Sequence, residues 1–218
     1  MSKKYSLIVF DWDGTLMDSA ARIVECLSLT ITDLNLPMHK PSALRDIIGL
    51  GLPEAIRRLY PDVDDTMLTL FTQTYREHFL SGEKTPSRMF PGALSTLQQL
   101  SDEGYFLAVA TGKGRGGLDR SIKEVDCADL FHITRCADEC ISKPHPQMLL
   151  EIMSVLDIPR ESSLMIGDTE YDVLMAQQAG VDALGVDYGV HSRDRLMSHG
   201  ALDCMSDICD VTAWLENH

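Results

Sequence analysis

Asp11 and Asp13 close the apolar run Leu7-Ile8-Val9-Phe10, and Gly14 follows them at once. Two carboxylates at the end of a buried strand repel each other and are poorly solvated. A cation between them would relieve both problems, and an oxygen-rich site suits magnesium. A second apolar run ends the same way, in Met165-Ile166-Gly167-Asp168-Thr169-Glu170-Tyr171-Asp172. Two strand-end acidic clusters in one chain are best explained by a single metal that bridges them through Asp168 and the first pair. Between them lies Val109-Ala110-Thr111-Gly112-Lys113, where a hydroxyl at a strand end, followed by glycine, offers O–H and N–H donors to a phosphate. Taken alone, Thr-Gly is a common strand ending. The glycines of Gly114-Arg115-Gly116-Gly117 either let backbone approach a ligand, with a helix N-terminus behind them, or form a surface turn. Lys113 and Arg115 are read as turn charges before substrate contacts, and His145 and Glu170 as surface residues.

Elements must exist to hold these groups in one place. The run before Asp11 is too short for a buried helix and reads as a strand of a parallel sheet buried on both faces. Tyr105–Ala110, Phe131–Thr134, Ser163–Ile166 and Ala183–Val186 read as further strands. They alternate with helices over Ala93–Ser101, Arg115–Val125, Pro146–Leu156, Tyr171–Ala179 and Ile208–Glu216. This alternation predicts an α/β fold with a doubly wound parallel sheet. In such sheets ligands bind beyond the carboxyl ends of the strands, where Asp11, Thr111 and Asp168 stand. Strand alternation turns Trp12 away from Asp11 and Asp13 into a packing role.

A different pattern follows the first strand. Ala20, Ile23, Leu27, Ile31 and Leu34 recur at helical spacing, with Asp18 or Ser19 as the cap. Shorter helices are expected over Pro41–Ile47 and Glu54–Tyr60. A long one is expected from Asp64 to Phe79, with Met67, Phe71, Tyr75 and Phe79 on one face, and Gly82 and Pro86 punctuate the exit. Four helices exceed the single crossover helix that a parallel sheet needs. The expected division is therefore an α/β core of residues 1–16 and 84–218 with an inserted all-helical domain over 17–83.

The chain has 218 residues, 44% of them hydrophobic, and a formal net charge of -14. That acidity argues against nucleic acid as a main partner but leaves small anionic substrates open, since those need only local positive charge and a metal. No segment approaches the roughly 18 apolar residues of a membrane span. Lys3, Lys4 and the run after them lack a cleavage site, so a cytoplasmic protein is expected. The six cysteines read as thiols, because the spacings Cys136/Cys140 and Cys204/Cys209 are loose for zinc.

Taken in order, Asp11-Trp12-Asp13-Gly14-Thr15, Thr111, Lys143-Pro144-His145-Pro146 and Gly167-Asp168…Asp172 resemble the four motifs of the haloacid dehalogenase superfamily: hhhDxDGT, a strand-end Thr or Ser, KPxP and GDxxxD. The resemblance spans nearly the whole chain. It implies that Asp11 attacks phosphorus to form an aspartyl-phosphate, and that Asp13 protonates the leaving oxygen and then activates water. It implies that Thr111 and Gly112 bind phosphate and that Lys143 offsets charge on Asp11 and the phosphate. Magnesium is then held by Asp11, Asp168 and Asp13, the last through its backbone carbonyl, with Asp172 supporting a metal-bound water or Lys143. The acidic set argues against the metal-free dehalogenase branch. The helical insert resembles the cap carried after the first motif in one subfamily, with Gly49-Leu50-Gly51 facing the site and Arg45 and Arg57 read as solvated charges. Asp-Gly-Thr-Leu-Met-Asp-Ser and Ala-Thr-Gly-Lys resemble phosphoglycolate phosphatases, so a phosphatase acting on a small phosphorylated metabolite, as monomer or homodimer, is expected. A sugar phosphomutase, a nucleotidase or pyrophosphatase, and a non-catalytic binding protein are the alternatives.

Overall fold

A computed structural model describes residues 3–81 and 87–218. Its centre is a six-stranded parallel sheet of β1 (Leu7–Phe10), β4 (Phe106–Thr111), β5 (Ile133–Cys136), β6 (Ser163–Gly167), β7 (Asp182–Val186) and β8 (Asp203–Met205). The strand order is β5-β4-β1-β6-β7-β8. The chain thus builds outward from β1 in one direction, then returns and builds outward in the other. The reversal leaves a crevice at the carboxyl ends of β1 and β6, the place where doubly wound sheets bind ligands.

β1 shows why the sequence folds this way. Ile8 and Phe10 enter one apolar core with Leu97, Leu118 and Val211, while Leu7 and Val9 enter the other with Met148, Ile152 and Met175. A strand buried on both faces needs apolar residues at every position, and β1 is four apolar residues long. The helices supplying those faces are α5 (Ala93–Asp102), α6 (Arg115–Glu124), α7 (Gln147–Leu156), α8 (Glu170–Ala179) and α10 (Asp210–Glu216), with α9 (Arg193–Ser198) beside β7.

Between β1 and β4 the chain forms α1 (Ala20–Asp33), α2 (Pro41–Asp46), α3 (Leu52–Leu59) and α4 (Asp65–Leu80). These four share an apolar core of their own, built on Leu27, Ile31, Leu44, Ile56 and Phe71. The chain leaves through β2 (Met17–Asp18) and re-enters through β3 (Arg88–Met89), which pair antiparallel as Met17↔Met89 and Asp18↔Arg88. The turn expected at Gly82 and Pro86 lies outside the described residues. Among the described residues, no helix is long and apolar enough to cross a membrane.

Several expectations shift. β5 starts two residues later than the apolar pattern suggested, pairing Ala108↔Ile133 through Thr111↔Cys136. Phe131 instead stands before the strand with its ring edge-on to Trp12 at 6.0 Å. The ribbon of β2 and β3, the six-residue α9 and the three-residue β8 carry too few periods to be read from spacing. Ser19 occupies the N-cap of α1 but makes no side-chain capping bond.

Candidate active site

Asp11 continues the line of β1, its N–H donating to the Ile166 carbonyl at 2.9 Å. Side-chain alternation carries past the strand end: Trp12 stays on the Ile8 and Phe10 face, fully buried, and donates from Nε1 to Ser121 Oγ at 2.9 Å. Asp11 therefore points to the other side, into the crevice. The chain then turns through Gly14, whose φ of 94° is left-handed and whose missing side chain leaves the room that Asp168 fills. Thr15 Oγ1 donates to Asp168 Oδ1 at 2.9 Å, and Val190 N–H donates to Asp168 Oδ2 at 2.7 Å. The first turn and the loop after β7 thus clamp the carboxylate that β6 delivers.

Lys143 joins the three carboxylates. Its Nζ donates to Asp11 Oδ1 and to Asp172 Oδ1, both at 2.6 Å, with the side chain fully enclosed. Asp172 is fixed in turn by a capping box at the start of α8, its Oδ2 accepting from Thr169 N at 3.1 Å and Thr169 Oγ1 at 2.6 Å. Burial pushes the Asp11 carboxyl up to about 7, against the pull of Lys143. Burial, with Asp11 and Asp172 nearby, holds Asp168 well above the ordinary carboxylate range. Burial alone would lower the Lys143 pKa, yet Asp11 and Asp172 outweigh it and keep it above the usual lysine value.

The charge balance of this cluster is informative. Asp11, Asp168 and Asp172 each offer an oxygen within 4.8 Å of the other two. Against three carboxylates stands the single Lys143 ammonium, which leaves two negative charges when all are ionised. Among the described residues, Asp11 Oδ2 is buried without a hydrogen-bond partner. An all-oxygen donor set, a deficit of two charges and an orphaned acceptor fit a hard divalent cation.

Asp13 lies beside this cluster in a different setting. Lys113 Nζ donates to both its oxygens, at 3.0 and 2.8 Å, and Ser19 Oγ donates to Oδ1 at 2.7 Å. The hydroxyl expected to cap α1 is spent here instead. The Lys113 ammonium also sits 4.7 Å over the Phe79 ring of α4. Thr111 is buried at the end of β4, where its Oγ1 accepts from Lys113 N–H at 3.1 Å. Gly112 lies directly under the helical insert: a Cβ there would stand 2.5 Å from the carbonyl oxygens of Gly49 and Leu50. Ser142 Oγ accepts from Gly51 N–H at 2.7 Å, so Gly49-Leu50-Gly51 is seated over the site.

The structure thus brings Asp11, Asp168, Asp172 and Lys143 into one cluster and places Asp13, Thr111 and Gly112 at its edge. Lys113, first read as a turn charge, belongs to this edge. Its position two residues after Thr111 was the only signal. Ser19 read as a helix cap, and Ser142 carried no signal, because its partner Gly51 is distant in sequence. Arg115 is turned away, bound to Glu139 and Thr134, and Asp138 Oδ1 accepts the first N–H of α6 at 2.9 Å. That helix start is therefore already occupied by a carboxylate, while Gly116 and Gly117 line a cavity. Glu170 is not a plain surface acid: it is mostly covered and accepts from Arg195 Nε at 2.5 Å. Arg195 also pairs with Asp46 of α2, which ties the insert to α8 and α9. Arg45 donates to the Gly189 carbonyl at 2.6 Å, and Arg57 meets only Asp65 at the surface.

A doubly wound sheet with strand-end carboxylates around a buried lysine defines a class, and sequence comparison identifies it. The pattern of haloacid dehalogenase-like hydrolases matches residues 8–186, and the chain belongs to that family. It is 36% identical over 194 residues to "Probable phosphatase IndB" of Dickeya dadantii, covering 87% of this chain and 84% of that protein. The phosphoglycolate phosphatase of Rhodospirillum rubrum is 28% identical over 217 residues, covering 95% and 90%. Among solved structures, a predicted phosphatase from Clostridium acetobutylicum superposes with a TM-score of 0.88 at 25% identity, covering 98% of this chain and 99% of that one.

Proposed function

We propose that this chain is a magnesium-dependent phosphatase that hydrolyses a small phosphate monoester through an aspartyl-phosphate on Asp11. The observation that carries the reading is the buried cluster of Asp11, Asp168, Asp172 and Lys143, which is two positive charges short of balance. Asp11, Asp168 and the Asp13 carbonyl, with Asp172 in support, would hold magnesium, which would supply those charges and offset the negative charge of the phosphoryl oxygens.

Lys143 anchors Asp11 by Oδ1 and favours its ionised form. Asp13 takes up a proton from water as substrate binds; Asp11 then attacks phosphorus, and the bond to the leaving oxygen breaks as Asp13 gives that proton to the oxygen. Water then attacks the phosphoryl group, Asp13 accepts its proton, and inorganic phosphate leaves while Asp11 is restored. Thr111 and Gly112 receive the phosphate at the end of β4. Lys113 and Ser19 hold the Asp13 carboxylate in place before substrate arrives. Residues 17–83 act as a cap on the core of 1–16 and 84–218, covering the phosphate and excluding water.

The test is phosphate release from a panel of cytoplasmic-type phosphate monoesters, with magnesium and with chelator, for wild type and Asp11→Asn. Turnover is expected in magnesium only, falling by roughly 10³-fold or more in the variant. Full activity of Asp11→Asn would remove the nucleophile from the scheme. Conversion of a hexose phosphate into its isomer without phosphate release would make the chain a mutase.

A further inference from the structure

We infer that the preferred substrate is a phosphate monoester whose alcohol part is apolar and of ring size or larger. This inference rests on the phosphatase reading above and names the substrate class of that same site.

A cavity of about 510 Å³ lies between the helical insert and the carboxyl end of β4, with Asp13, Thr111 and Lys113 among its lining residues. Its volume falls in the range that encloses drug-sized ligands. A two-carbon acid or a second phosphate would leave most of it unfilled. Its composition is as informative as its size. Ile23 and Leu27 come from α1, Ile48 and Leu50 from the loop before α3, and Tyr75 and Phe79 from α4. The Tyr75 and Phe79 rings are 5.9 Å apart and tilted by 31°, a surface against which a flat ring can lie. Hydrogen-bonding side chains are the minority among the described lining residues, Thr72, Tyr75, Arg76, Arg120 and Asp138 being those beyond the phosphate end. The Thr72 hydroxyl is committed to the Leu68 carbonyl at 2.8 Å, and Arg76 and Arg120 are exposed.

A sugar carries a hydroxyl on nearly every carbon, and burying these against isoleucine and leucine without partners is unfavourable. An apolar ring gains from the same wall. The polar groups stand at the phosphate end, with Thr111, Gly112 and Lys113, and on the exposed Arg76 and Arg120, while the wall between is mostly apolar. The cavity thus reads as a polar floor under an apolar chamber, opposite to what glycolate, pyrophosphate or a hexose would need.

The experiment compares kcat/KM of the wild type for 2-phenylethyl phosphate, 2-phosphoglycolate, pyrophosphate and glucose 6-phosphate in magnesium. The first leaves as an ordinary alkyl alcohol, so its advantage would reflect binding. It should exceed each of the others by at least tenfold, about 1.4 kcal/mol. In Leu50→Ser the ratio of the value for 2-phenylethyl phosphate to that for 2-phosphoglycolate should fall about tenfold, mainly through a raised KM for the aromatic ester. The inference is overturned if 2-phosphoglycolate, pyrophosphate or the sugar phosphate matches the phenylethyl ester, or if Leu50→Ser lowers all of them equally. If no ester turns over, the phosphatase reading falls by itself. Calorimetric binding of 2-phenylethylphosphonate against phosphonoacetate then decides the cavity: tenfold tighter binding supports the apolar chamber, and equal binding sinks it.

Discussion

Lys143→Met removes the one cation from the buried cluster while keeping a side chain of similar length. In the wild type, Lys143 Nζ meets Asp11 and Asp172 at 2.6 Å each, with neither carboxylate more than 1% exposed. Removing one partner of a buried ion pair typically costs about 3–5 kcal/mol, because the remaining charge is left uncompensated. Here the deficit grows from two charges to three. For a chain of this size each kcal/mol moves Tm by about 2–4 °C, so the variant should melt roughly 6–20 °C lower at pH 8 without metal. The loss should also depend on pH. Asp11 already sits at about 7 with Lys143 lowering it, so removal of the ammonium raises it further. A carboxyl whose folded pKa lies above its unfolded value binds more protons when folded, so stability falls as pH rises through the folded value. The variant should therefore regain part of its loss between pH 8 and pH 5.5. The assay is urea denaturation at both pH values. A difference from wild type below about 1 kcal/mol at pH 8, or a gap that does not narrow on acidification, would refute the charge-balance argument.

Gly112→Ala places a Cβ 2.5 Å from the carbonyls of Gly49 and Leu50, so the loop of the insert must lift. A stability loss of about 1–3 kcal/mol and a clear fall in kcat/KM are expected by denaturation and phosphate assay. Arg195→Ala cuts the link from Asp46 to Glu170. Both partners are partly exposed, so the stability loss at pH 7 should be near 1 kcal/mol, with faster hydrogen exchange in α2 as the sharper readout. The hydrogen bond from Arg195 lowers the Glu170 pKa in the fold. Its contribution is present at neutral pH and is lost as pH falls through the folded value, so the two proteins should converge in acid. Trp12→Phe leaves Ser121 without its donor and a gap in the core; about 1–3 kcal/mol should be lost while kcat stays within threefold, because the ring faces away from Asp11.

What the sequence made legible was local. Asp11, Thr111 and Asp168 each follow an apolar run, and a strand end fixes where a side chain goes without knowledge of distant residues. Lys143 stands in a short proline-bounded turn whose pattern matches the family's third motif. β1 was readable because burial on both faces leaves no polar position in it. Elements too short to show a period, such as β8 and the β2–β3 ribbon, were not readable.

The environment of Asp13 was the hardest part to foresee, and its reason is physical. Asp11 and Asp13 are two residues apart and look alike in the sequence, yet their roles require them to differ. The chain separates them with groups from opposite directions. Lys143 reaches Asp11 from the loop after β5, while Lys113 and Ser19 reach Asp13 from the end of β4 and the start of α1. Two of these three donors read as a turn charge and a helix cap. Each was available for that local role, and tertiary structure recruited it for another. Ser19, which donates to Asp13, and Phe79, which lies under the Lys113 ammonium, both belong to the helical insert, so the groups that hold Asp13 include ones that move if the insert moves. Asp13 held this way is linked to the helices of the insert, whereas Asp11 is held by Lys143 from the loop after β5.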